Sequence, residues 1–335
     1  MKPKISMLGS LPPIKGISPY TLNLVKELSK KVEIDFYNFK SIYPEIFYPG
    51  GTKTNEKEPK IKNVKIHNYL AWYNPFSWIK TGFAIKTDLL HVQWWAWTLA
   101  PIYLTILGIA KLRNKKIVMT IHNVKMHENS LIPNFLNKTV INLADEYIVH
   151  SEDNKKTFLN QFKTNKKVKI IPHPIIEFPI SSIPKEILKR KYGFKKEDKI
   201  LIFFGNIRPY KGLDVLLKTF GEIKNSNLKL IIAGQVWGSF SLYQNLIDNL
   251  NLKDRVKLFL GYNNKDLVAE LFKISDIAVF PYKKFDAASG ALSVAMFYKK
   301  PVIITDVMTI DKNYKSYKIA KSGDSIDLKN KIESY

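Results

Sequence analysis

Short apolar runs alternate along this chain with stretches whose apolar residues return every three or four positions, the pattern of buried strands joined by amphipathic helices. In the first half, strands are expected at Ile5–Leu8, Val32–Phe39, Val64–His67, Leu89–Gln93, Lys116–Ile121, Glu146–His150 and Val168–Ile171. Helices fit Ser18–Ser29, Leu99–Leu112, Ile132–Leu143 and Asn154–Phe162. Pro44 to Pro59, rich in Gly, Pro and Lys, reads as a loop. Pro172 to Pro184 carries four prolines, which interrupt helix and strand alike, and reads as a linker. A more regular alternation follows, with strands at Ile200–Phe204, Leu228–Ala233, Val256–Leu260, Ile277–Phe280 and Val302–Thr305. Between them the pattern gives helices at Leu213–Ile223, Ser241–Asn249, Lys265–Ile274 and Ala291–Tyr298. Strand then helix, repeated, implies parallel sheets covered on both faces. Two α/β domains are expected, residues 1–178 and 179–335, each binding ligands beyond the carboxyl ends of its strands.

Composition narrows this picture. A chain of 335 residues with 45% hydrophobic content builds two sizeable cores. With no cysteine there is no disulfide, thiolate metal site or cysteine nucleophile, which fits a reducing, cytoplasmic setting. The start, Met1–Lys4 running into Ile5–Leu8 and Pro12-Pro13, leaves no room for a signal peptide. The net charge of +24 is carried almost wholly by lysine, since the only arginines are Arg113, Arg190, Arg208 and Arg255. A nucleic-acid reader more often clusters arginine, whose rigid fork matches phosphates and base edges, so nucleic acid is not expected as a partner. Scattered lysine fits either a compositional bias or attraction to anionic lipid head groups or substrates. From Leu89 to Ala110 the only acidic or basic side chain is His91, a run long enough for a membrane span. Pro101 and the polar Gln93 divide it, however, and strand plus helix is the expectation. Trp94, Trp95 and Trp97 at the junction suit core or cleft packing, and also a membrane interface.

Two stretches carry candidate chemistry. Phe203 to Asp214 lies between a strand and a helix, and Gly205 and Gly212 allow a tight turn there. Arg208 and Lys211 put two cations at that turn, where a diphosphate needs neutralising, although a solvated basic loop would look the same. Neither a Walker A loop nor a GxGxxG fingerprint occurs at a suitable strand–helix turn. The second stretch holds Pro281-Tyr282 and Asp286, then Ser289-Gly290-Ala291 opening a helix whose free amides suit a phosphate. Asp286 is placed to hold sugar hydroxyls. An N-cap serine beside a surface aspartate is the plainer alternative.

These stretches, with others, resemble the retaining glycosyltransferases of family 4, which adopt the GT-B fold. The matching text includes Gly16-Ile17, His91-Val-Gln-Trp94, Thr120-Ile-His-Asn-Val124, Ala144 to Ser151 and Ile171-Pro-His173. It continues through Gly205 to Asp214, Ala233-Gly234, Asp254-Arg-Val256, Gly261-Tyr262 and Pro301-Val-Ile303, of which Phe204 to Asp214 is the most specific. The resemblance implies two Rossmann-like domains facing each other across a cleft, acceptor on the first and nucleotide-sugar donor on the second. It assigns Arg208 and Lys211 to the donor diphosphate, and His122 to an approach on the transferred sugar. Gly16, Ile17, Gly205, Asn206, Gly261, Tyr262, Ser289, Gly290, Ala291 and Val294 fall at donor-binding positions. No metal or cofactor is implied beyond the nucleoside-diphosphate sugar as co-substrate. The remaining histidines, among them His67, His91, His127, His150 and His173, read as structural, with no ligand spacing among them.

Two departures stand out. The family usually shows two glutamates separated by seven residues, and here those positions carry Asp286 and Val294. After Asp306 the usual glycine-rich turn reads Val307-Met-Thr309, and the family's closing helices look shortened or missing. The expected function is transfer of a sugar, with retention, from a nucleoside-diphosphate sugar to an acceptor hydroxyl. A glycan or lipid-linked acceptor fits the lysine excess and the segment Leu89–Leu112, with peripheral contact at an anionic membrane. The alternative from a different class is a non-catalytic GT-B-fold partner that binds nucleotide sugar weakly or not at all. A sugar-nucleotide epimerase on the same fold is a further reading.

Overall fold

The computed structural model describes residues 2–44, 51–54, 56–124, 131–172, 178–284, 289–308, 310 and 314–335. The chain divides into two compact units, the first ending at Pro174 and the second running from Ile175.

The first unit alternates β1 (Lys4–Gly9), α1 (Ser18–Ser29), β2 (Glu33–Ser41), β3 (Val64–Ala71), α2 (Pro75–Ala84), β4 (Leu89–Trp94) and α3 (Ala100–Leu112). It continues with β5 (Lys116–Ile121), α4 (Leu131–Asn142), β6 (Glu146–Val149), α5 (Glu152–Phe162) and β7 (Lys167–Ile170). Its seven strands form one sheet in the order β3-β2-β1-β4-β5-β6-β7, parallel throughout. The central strands read as apolar runs because both faces are covered; Leu8, Leu90, Val92, Ile117, Met119 and Ile121 are fully buried. Each such side chain contributes about 1.5–3 kcal/mol by leaving water. Capping sets the helix ends: Ser151 accepts from the Asn154 amide, and Glu152 and Asp153 favour the positive start of α5.

Leu89–Leu112 is a strand and a helix, as its internal breaks imply, with a single 3-10 turn at Trp97–Leu99 between them. Among the described residues no helix is long and apolar enough to cross a membrane. Trp94 belongs to the core, where its indole N–H donates to Asn137 Oδ1 at 2.6 Å. Among the described residues of this unit, α2 is the helix that the sequence pattern does not predict. Asn74 caps it, accepting from the Ser77 amide, and Pro75 opens it. Its periodicity misleads because Ser77, Thr81 and Gly82 face inward while Phe76, Ile79 and Phe83 face out.

The second unit runs α6 (Lys185–Lys191), β8 (Lys199–Phe204), α7 (Leu213–Glu222), β9 (Leu228–Gly234), α8 (Ser241–Asn249) and β10 (Val256–Leu260). After these come α9 (Lys265–Ile274), β11 (Ile277–Phe280), α10 (Gly290–Phe297), β12 (Val302–Thr305), β13 (Tyr317–Ala320) and α11 (Ser325–Glu333). Six parallel strands lie in the order β10-β9-β8-β11-β12-β13. The tail after Thr305 therefore adds a sixth strand and a covering helix. That strand is hard to see in sequence because it lies at the sheet edge and buries only Ala320. Asp324 caps α11, accepting from the Ile326 and Asp327 amides, and Leu328 and Ile332 pack into the core beneath.

In both sheets the chain reverses its direction of strand addition beside the first strand, between β1 and β4 and between β8 and β11. Helices on opposite faces leave a crevice at the carboxyl ends of such a strand pair, which is where ligands bind in open α/β sheets.

Candidate active site

In the second unit, the loop leaving β8 and the loop leaving β11 meet at the reversal point. Gly205 turns the chain at φ +114°, its amide donating to Ala233 O at 2.9 Å. A Cβ there would lie 3.0 Å from Ala291 Cβ and 3.2 Å from Lys211 Nζ, so only glycine leaves the lysine its place beside α10. Gly212 closes the loop at φ +69°, and a Cβ on it would sit 1.9 Å from Pro281 O. The Lys283 amide completes the contact by donating to Tyr210 O at 2.7 Å.

The two cations of this loop rest on aromatic rings. The Arg208 guanidinium carbon lies 3.8 Å from the centre of the Trp237 ring, and Lys211 Nζ lies 4.9 Å from that of Tyr282. Among the described residues neither has a carboxylate partner, and the buried Nε of Arg208 makes no hydrogen bond. Lys211 is buried although it is charged, which is costly without an anion. Lys283, by contrast, is neutralised by Asp214 at 2.7 Å.

Ser289 caps α10, accepting from the Leu292 amide at 3.2 Å, and its hydroxyl is 3.4 Å from that of Tyr282. Gly290 and Ala291 form the first turn, whose amides are open to an anion. The loop is tied from below: Thr305 Oγ1 donates to Tyr282 O at 2.7 Å, and Ser322 Oγ donates to Tyr282 O and Lys283 O, each at 3.1 Å. Asn206 is exposed beside Gly205. Gly261 follows β10 at φ +104° with its amide on Gly234 O at 3.0 Å, and Tyr262 projects into solvent. Val294 points into the apolar core and presents no polar atom. Asp286 lies outside the described residues.

In the first unit His122 follows β5 directly and is buried. Its amide donates to Trp94 O at 2.9 Å, and Nε2 lies 2.9 Å from Gln93 Oε1. Behind Gln93, fully buried on β4, stands His91, 2.8 Å from Thr120 Oγ1. Burial pushes the His91 imidazole down to about 4, so it is neutral near pH 7. Burial also lowers His150, whose Nδ1 is 2.9 Å from Ile171 O. Tyr20 of α1 packs edge-on against both His122 and His150, with ring centres 4.7 and 5.2 Å apart, and burial pushes its phenol up to about 12. Gly16, at φ +87°, is exposed at the turn into α1, and Ile17 stands at the N-cap position just before that helix. In sequence Gln93 stands out only as the polar end of a strand within matching text, and neither Tyr20 nor Trp237 is singled out. Their roles as supports come from packing between elements far apart in the chain.

Among the described residues no three His, Cys, Asp or Glu side chains gather as a metal site.

Two Rossmann-like units, with seven and six parallel strands, define a GT-B glycosyltransferase fold. Two glycosyltransferase family models together match most of the chain: "Glycosyltransferase Family 4" matches residues 14–176, and "Glycosyl transferases group 1" matches residues 184–335. An uncharacterized glycosyltransferase of Bacillus subtilis, YqgM, is 31% identical over 194 residues, covering 56% of this chain and 48% of its own. A GDP-mannose:glycolipid 4-beta-D-mannosyltransferase of Xanthomonas campestris is 31% identical over 104 residues, covering 31% of this chain and 29% of its own. The chain thus spans less than half the length of these curated relatives. The solved structure of Anabaena HepE in complex with UDP and glucose superposes with a TM-score of 0.72 at 15% identity, covering 99% of this chain and 89% of the other.

Proposed function

We propose that the chain transfers a sugar from a nucleoside-diphosphate sugar to an acceptor hydroxyl, with retained anomeric configuration. The observation that carries this reading is the pair Arg208 and Lys211, stacked on Trp237 and Tyr282 and without carboxylate partners among the described residues. They stand in the loop leaving β8, which meets the α10 N-terminus at the switch point of the second sheet. A diphosphate supplies the missing anion.

In the proposed reaction the bond from the sugar's anomeric carbon to the diphosphate oxygen breaks. Negative charge then grows on that oxygen, where Arg208, Lys211 and the amides near Ser289–Ala291 stabilise it. The acceptor oxygen bonds to the same carbon on the face the diphosphate leaves, and its proton passes to the diphosphate. Asp286 is assigned to the sugar hydroxyls, and Gly205, Asn206, Gly261 and Tyr262 to the rest of the donor. In the first unit, Gly16 and Ile17 are assigned to the donor diphosphate and His122, held by Gln93, to the transferred sugar. Val294, being apolar, is a neighbour rather than a hydrogen-bonding partner of the ribose. The family resemblance supports a reaction with no metal. The lysine-rich composition supports a glycan or lipid-linked acceptor and work at the cytoplasmic face of a membrane.

A thermal-shift panel of UDP, GDP, ADP and their sugar conjugates, run on wild type and Arg208→Ala, tests the donor site. A ligand at a hundred times its dissociation constant stabilises by about 2.7 kcal/mol. One nucleotide family should raise the wild-type melting temperature and leave the variant unmoved. No response to any nucleotide would favour a non-catalytic GT-B partner, a reading that the buried Val294 motivates.

A further inference from the structure

The outer face of α2 carries apolar side chains where a soluble surface helix carries polar ones. Phe76, Ile79 and Phe83 are 83%, 43% and 60% exposed and fall on one side of the helix, at spacings of three and four residues. Trp72 and Tyr73, just before the helix, are also exposed and pack edge-on to each other, 5.6 Å apart. The inner face is small and polar: a Cβ on Gly82 would lie 2.8 Å from Ile109, so α2 lies close against α3. Leu112, at the end of α3, is 86% exposed.

Cations border this stripe. Lys80 lies on the outer face, its ammonium 4.5 Å from the centre of the Tyr69 ring. Arg113 donates to Phe83 O and Ile85 O, each at 2.9 Å, and Lys115 donates to Lys86 O at 3.1 Å. Lys86 itself is exposed, and the nearby acid, Asp88, pairs with Lys115 at 3.2 Å. Behind Trp72 opens a pocket of about 560 Å³ lined by Tyr43, Trp72, Trp78, Leu99, Pro101 and Ile102 among others.

We infer that this face docks on an anionic lipid bilayer, with α2 in the interface plane and one hydrocarbon chain of a bilayer lipid entering the pocket. Aromatic and aliphatic side chains flanked by Lys and Arg are what the head-group region receives. Pairing with a second copy would set the same cations against each other in a chain of net charge +24. The pocket, mostly apolar in its lining, fits a chain rather than a sugar. This deepens the proposed membrane-borne acceptor by naming the surface that meets the membrane, and it stands on geometry separate from the donor site.

The test is flotation of the full chain with phosphatidylglycerol vesicles and, in parallel, with phosphatidylcholine vesicles. Wild type should float with the anionic vesicles. Phe76→Ser/Phe83→Ser and Lys80→Glu/Lys86→Glu should each weaken partitioning by about tenfold or more. All four positions are exposed, so melting temperature and nucleotide response should stay as in wild type, which keeps this outcome separate from the donor reading. Chain-brominated phosphatidylglycerol should quench tryptophan fluorescence, and Trp72→Phe should diminish that quenching. Wild type that floats with neither vesicle would overturn the proposal, as would variants that float like wild type. A dimer dispersed by Phe76→Ser/Phe83→Ser, without vesicle binding, would assign the face to a second copy instead.

Discussion

Lys211 and His91 are both buried ionisable side chains, and the protein treats them oppositely. Lys211 keeps a place on the Tyr282 ring with no described counter-ion, which suits a residue waiting for an anionic ligand. His91 is kept neutral: burial pushes it down to about 4 from the ordinary 6.5. The unfolded chain therefore binds a proton that the folded chain refuses between pH 6.5 and 4, so this contribution to stability is present above pH 6.5 and lost as pH falls toward 4. Its size is about 3 kcal/mol at most. His150, also lowered by burial, adds in the same direction. Urea midpoints measured from pH 7 to pH 4 should fall in wild type, and His91→Asn should flatten part of that slope. An unchanged slope in the variant would remove His91 from the account. Sequence alone singled out Arg208 and Lys211 as two cations at one strand–helix turn, and His122 only through the family resemblance. It could not show Gln93 beside His122 or Trp237 beneath Arg208, since those contacts join different strand ends.

Loops rather than helices or strands decide the candidate site, and two glycines fix how they meet. Gly212 holds the β8–α7 loop against the carbonyl of Pro281 in the loop leaving β11. Gly212→Ala brings a left-handed strain and a steric clash together, so it should lower stability by about 2–4 kcal/mol, read as a drop in the urea midpoint. The same glycines were visible in sequence as turn formers, but not the surface each must clear. Strands of the second half were legible because parallel, doubly covered strands are continuous apolar runs, as in β8, β11 and β12. The strand β13 and the helix α11 were missed for the converse reason. One lies at a sheet edge and the other turns a mostly polar sequence to solvent. The helix α2 was missed because its apolar stripe points outward, an inversion that pattern reading takes for noise and that the membrane proposal takes as its main support.

At the scale of the whole molecule, the alternation of strand and helix specified two parallel α/β units, and the topology bears this out in sheets of seven and six strands. Both sheets place their candidate residues after the carboxyl ends of strands, where the helix N-termini and glycine turns provide amides. What the pattern could not supply was the ligand: charge and fold agree with several anions. The most direct test of the central claim is therefore calorimetric titration of UDP, GDP and ADP into wild type, Arg208→Ala and Lys211→Ala. The account predicts that one nucleotide binds wild type at one site per chain. Each variant should weaken it by roughly ten- to a hundredfold, the worth of a charge-assisted hydrogen bond at about 1.5–3 kcal/mol. Binding that is absent for all three nucleotides, or equal in all three proteins, would contradict the account.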